Sequence, residues 1–141
     1  MPAWELVHST PLFTLERSGP EVYLIRYAKG IVINGALIEE SLRVRRELVG
    51  RRPYVSIAVF PETATYAPDL FDTDLYEQGD PEHFVKALAL VSVGGALIPV
   101  ADHYYAEHPA RITVQAFDNV PDALVWMERV MATHGHAWTA R

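Results

Sequence analysis

The chain has 141 residues, 50% of them apolar and 21% charged, with a net charge of −6 and no cysteine. That length suits a single domain with its own core, and the composition is globular rather than disordered. Absent cysteine excludes a disulfide scaffold, a thiolate metal site and a cysteine nucleophile. The acidic balance argues against nucleic-acid binding, which rests on clustered Lys and Arg displacing counterions.

Met1–His8 shows no basic stretch followed by an apolar core, so no secretory signal is expected. Leu12–Arg17 and Glu21–Ala28 each alternate apolar and polar positions around Ser18-Gly19-Pro20. The pair predicts an antiparallel hairpin of half-buried strands near a sheet edge. Asn34 is placed to cap a helix running to about Val49, with Leu37, Ile38, Leu42, Val44, Leu48 and Val49 as its apolar stripe. Glu39 and Arg43 stand in the favourable i,i+4 order, and Gly50 with Pro53 ends the helix. Tyr54–Phe60 is almost continuously apolar, as a strand covered on both faces would be.

Pro61–Asp80 is irregular, with a short helix expected around Asp69–Glu77 or earlier. Pro81–Lys86 reads as a helical turn leading into a strand at Ala87–Val93. Phe84–Ala101 is the longest apolar stretch, but Lys86, Gly94-Gly95 and Pro99 interrupt it, so a strand, a break and a helix fit better than a membrane span. Gly94–Glu107 reads as a helix packing Leu97, Ile98, Ala101, Tyr104 and Tyr105, ended by His108-Pro109. Ala110–Phe117 alternates as a strand. A last helix, opened by Asp118-Asn119-Val120-Pro121-Asp122, buries Val120, Ala123, Leu124, Met127, Val130 and Met131, and Thr133–Arg141 reads as a frayed tail. Alternating strands and helices of this kind make an α/β protein with a mixed, partly parallel sheet and helices packed on it.

Chemistry-bearing patterns are sparse. His134-Gly135-His136 and the His103/His108 pair lack the i,i+4 spacing that puts two ligands on one helix face, and no metal or cofactor is expected. Asp72-Thr73-Asp74 opens like a calcium loop, but the later ligands are out of register. Ser41, Ser56 and Ser92 stand in no Gly-x-Ser-x-Gly turn, so no catalytic residue is assigned. Arg43, Arg45, Arg46, Arg51 and Arg52 fall mostly on the polar face and end of the first helix, where they favour its dipole or offer a docking patch for an acidic partner.

The closing strand-to-helix segment Val114–Met127, with a strand ending in Phe117 and a helix carrying Ala123-Leu124-Val125-Trp126, resembles the STAS-like (SpoIIAA-like) family. Ala87–Val93 followed by Gly94-Gly95 is similar to that family's buried strand and turn, and the resemblance spans roughly Pro11 to Met131. It implies a β-β-α-β-α-β-α-β-α domain, cytoplasmic and non-catalytic, related to bacterial anti-sigma-factor antagonists. Such a module works through a protein partner or as a homodimer, away from membranes and nucleic acid. Family members that switch carry a phosphorylated Ser or Thr after the central strand. The equivalent stretch here offers Thr63 and Thr65, without the family's Asp and Gly and with Glu62 alongside to repel phosphate. The expected binding surface is the carboxyl end of the central strand: Thr63, Thr65, Tyr66, Phe71 and Tyr76, together with Gly94 and Gly95. The alternative function is binding of a small apolar ligand between helices and sheet, lined by Tyr and Trp side chains.

Overall fold

Alternation at the start of the chain produces the expected hairpin. The computed structural model describes residues 3–19, 21–50, 52–71, 85–92, 97–107 and 113–139. Within it β2 (Phe13–Ser18) pairs antiparallel with β3 (Val22–Tyr27). An additional strand, β1 (Glu5–Ser9), pairs outside β2 and takes the sheet edge. The hairpin therefore does not end the sheet. β3 is interior, paired on its other side in parallel with β5 (Tyr54–Phe60), and Tyr23, Leu24 and Ile25 are all buried. β7 (Val85–Ser92) and β8 (Thr113–Phe117) follow in parallel, giving a six-stranded mixed sheet ordered β1-β2-β3-β5-β7-β8. The two-residue strands β4 (Val32–Ile33) and β6 (Thr65–Tyr66) pair in parallel as a separate ribbon.

Among the described residues, three α-helices cover the sheet. α1 (Gly35–Val49) is capped as expected: the Asn34 side chain accepts from Leu37 N–H at 2.8 Å. Gly50 ends it at φ 69°, a backbone that favours glycine, with its N–H on the Arg46 carbonyl. α2 spans Leu97–Glu107, and the buried hydroxyl of Ser92, at the end of β7, accepts from its first N–H at 3.2 Å. α3 (Val120–Thr139) is capped by Asn119, whose side-chain oxygen accepts from Asp122 N–H at 2.8 Å. It runs to Thr139, through the segment from Thr133 expected as a frayed tail.

Side chains divide by strand parity. Towards α1 and α2 point Phe13, Leu15, Tyr23, Ile25, Tyr27, Tyr54, Phe60, Leu88 and Leu90; towards α3 point Leu24, Val55, Ile57, Ala87, Ala89 and Val91. Ile98 is 38% exposed rather than packed, since Leu97, Ala101 and Tyr104 take the inner face of α2. Arg43 is held by Glu40 and Glu47 instead of Glu39. Its charge keeps the Glu40 carboxyl below the usual carboxylate range, but the whole cluster is exposed and adds little stability. Of the segment expected as helix over 69–77, a short 3-10 helix at Pro68–Phe71 lies among the described residues. Lys86 and Val85, expected in a helical turn, already belong to β7. Arg45 departs most from expectation. It lies 1% exposed beneath α1, not on the polar face.

Candidate functional site

Two features stand on the α1/α2 face. The first is a buried polar network. Arg45 Nη1 donates to Ser56 Oγ at 2.8 Å and Nε to the Ser41 carbonyl at 3.3 Å. The Ser41 hydroxyl donates its one proton to the Ile38 carbonyl at 2.8 Å, so Tyr27, 2.9 Å away, is the donor to Ser41 Oγ. Its members are closed off from solvent, so the network anchors α1 on β3 and β5.

The second feature is a cleft of about 60 Å³ at the carboxyl ends of the parallel strands. Its floor is Phe60 of β5 and Leu88 and Leu90 of β7. Ile38 of α1 forms one side, and Leu97, Val100, Ala101, Tyr104 and Tyr105 of α2 form the other. Over it lie Ile33 of β4, Tyr66 of β6 and Leu70 of the 3-10 helix. Nearly all of this lining is buried, whereas Tyr66, Val100 and Tyr105 are half-buried, so the mouth opens between β6 and α2. An aromatic row leads to it: Tyr27 stacks on Phe60 with centroids 4.9 Å apart, and Phe60 meets Tyr66 at 6.2 Å. The surface offered is hydrocarbon. Burial pushes the Tyr66 phenol up to about 12, so it stays neutral.

β4 and β6 are bound to each other as a strap. Thr65 N–H donates to the Ile31 carbonyl at 3.1 Å and Ala67 N–H to the Ile33 carbonyl at 2.9 Å. Its ends are pinned by side chains: Gly30 N–H donates to Thr63 Oγ1 at 2.8 Å, and Gly35 N–H to Asp69 Oδ1 at 3.4 Å. The Asp69 carboxylate stands at the N-terminus of α1, whose first turn carries no acid of its own.

Of the residues expected at this surface, Tyr66 lines the cleft, while Thr63 and Thr65 are exposed members of the strap. Thr63 lies in a turn and Thr65 opens β6, and the helical turn that follows is the four-residue one at Pro68. Phe71 ends that turn; its side chain, with Tyr76, Gly94 and Gly95, lies outside the described residues. So do Asp72-Thr73-Asp74, His108 and the side chains of His134 and His136. Among the described residues no three His, Asp or Glu side chains gather as a metal site, and no helix is long and apolar enough to cross a membrane. Sequence reasoning misses Ile33, Ile38, Leu70 and the leucines of β7 and α2. They look like ordinary core positions, and only tertiary placement leaves a space between them.

Fold and cleft together define an α/β protein with a six-stranded mixed sheet and an apolar recess at its strand ends. No family model, curated protein or solved structure matches the chain.

Proposed function

We propose that the protein is a non-catalytic binding module that takes a small apolar group into the cleft beneath the strap. The observation that carries this reading is the lining: among the described residues its accessible surface is almost wholly apolar, and it is drawn from both helices, the sheet and the strap. Ligands of open α/β sheets gather at the carboxyl ends of strands, where this recess lies. An ionised ligand is disfavoured, because among the described residues the lining offers it neither a cation nor an exposed donor. Size narrows the class further. A cleft of about 60 Å³ is under half of the roughly 150 Å³ apolar cavity that admits benzene, so at its resting width it holds a short hydrocarbon end. Two or three enclosed carbons bring about 2 kcal/mol before ordering costs, which puts free fragments in the range of tens of millimolar.

The experiment is a titration with xenon and with cyclopentane, followed on the methyl resonances of Leu88, Leu90 and Leu97. Saturable shifts confined to those methyls support the reading. Shifts absent for both probes, or scattered over the surface, reject it. A STAS-like interaction module is the second reading, favoured by an element order that contains the β-β-α-β-…-β-α-β-α succession the resemblance implies. It predicts a stable oligomer or protein partner in size-exclusion chromatography, with the cleft silent to both probes.

A further inference from the structure

We infer that the β4–β6 strap is the gate of the cleft and that the Thr63–Gly30 hydrogen bond is its latch. The inference rests on the cleft being the binding site and adds how an occupant gets in. Three observations carry it. The strap supplies the outer wall through Ile33 and Tyr66, with Leu70 of the adjoining 3-10 helix beside them, and Tyr66 stands at the mouth. It is also the least secured wall: two residues pair with two, outside the six-stranded sheet, and Val32 is 53% exposed. Ribbons of that size are marginal alone and open locally well before the main sheet does. Finally, its restraints are few and identifiable, with one side-chain latch at each end. The remaining walls are long helices and central strands, which move only with the core. A ligand larger than the resting cleft therefore enters by lifting the strap away from α2.

Two variants test this in the intact protein. Thr63→Val removes the acceptor for Gly30 N–H with little change of shape at an exposed position. Val32→Cys/Thr65→Cys joins two register partners, which in neighbouring strands lie roughly 4.8 Å apart, within the span of a disulfide. The chain has no other cysteine to compete. Loss of one hydrogen bond speeds opening by about fivefold. Thr63→Val is thus expected to raise amide exchange at Gly30, Thr65 and Ala67 by that factor, leaving β5 and β7 unchanged. Cyclopentane exchange, read from methyl line shapes, rises in step at unchanged affinity. The oxidised cysteine pair slows it at least tenfold, and reductant restores it. If cyclopentane still saturates the cleft but exchanges at one rate in every form, the gate is refuted and the binding site survives. Xenon bound but cyclopentane excluded from the wild type and from Thr63→Val refutes the gate in the same way. If neither probe binds, the binding reading falls and the gate with it.

Discussion

Filling the cleft is the most direct test of its reality. Ala101 lies on the inner face of α2, 8% exposed, and lines the recess. An unfilled space of about 60 Å³ costs about 1.4 kcal/mol at roughly 24 cal/mol per Å³. Ala101→Leu places three more carbons there. Their transfer from water gains about 2 kcal/mol, and pressing a side chain slightly too large into the space loses a similar amount. What remains is the recovered cavity energy less the cost of ordering leucine, about 0.5–1 kcal/mol. The variant should be more stable than the wild type by about 0.5–1 kcal/mol, a rise in Tm of about 2–3 °C. Urea and thermal unfolding measure this, and the same protein should no longer respond to cyclopentane. A loss of more than about 1 kcal/mol would mean that no room exists at Ala101, and the cleft could not be a binding site. Ala101→Met, whose flexible chain adapts to irregular gaps, separates lack of space from a poor leucine rotamer.

Other expectations follow from the same structure. Arg45→Met strands the buried Ser56 hydroxyl and should cost about 2 kcal/mol in urea unfolding, whereas adding Ser56→Ala should return part of that loss; strict additivity would show that the two side chains are not coupled. Gly50→Ala should cost about 1 kcal/mol through backbone strain alone, since φ is 69° and nothing lies within 4 Å of the added carbon; a neutral result would place Gly50 in an ordinary conformation. Ultraviolet titration should find a tyrosine ionising near 12 that Tyr66→Phe removes. Because burial raises the folded value above the ordinary value near 10, the stabilising contribution of neutral Tyr66 is whole below about pH 10 and fades from there to about 12. A Tyr66→Phe variant with an unchanged alkaline unfolding profile would contradict that linkage.

Legibility in the sequence follows how local each signal is. The caps of α1 and α3 are readable because Asn34 and Asn119 bond to N–H groups three residues on. β5 is readable because both of its faces are covered, which leaves an unbroken apolar run. β1 is not: a bulge between Leu6 and His8 breaks the alternation, and most of its residues are polar. The charge of Arg45 points to the polar face, although the residue falls four after Ser41 and four before Val49, both buried. The better signal is Ser56, a polar residue inside an apolar strand, which calls for a buried partner. At the cleft only Tyr66 stands out from the sequence, as an aromatic near a strand end. The rest of the wall comes from segments far apart in sequence, and no local pattern records the gap they leave.

The two faces of the sheet explain why the recess lies where it does. Against α3 the strands present mainly small and β-branched side chains beside Leu24, with Ala87 and Ala89 of β7 and Ala123 of α3 fully buried. On the other face β7 turns Leu88 and Leu90 outward, β5 turns Phe60, and two helices share the cover. Among the described residues, the space between Ile38 of α1 and the Leu97–Tyr105 side of α2 is closed by the strap and by Leu70 of the 3-10 helix. A ribbon with one inward side chain per two-residue strand fills such a space less densely than a helical face. The same economy that leaves the recess also leaves its cover weakly held, so a cleft and a movable wall arise together from one packing choice. Extending the strap pairing by one register pair should accordingly slow cyclopentane exchange without altering the volume beneath it.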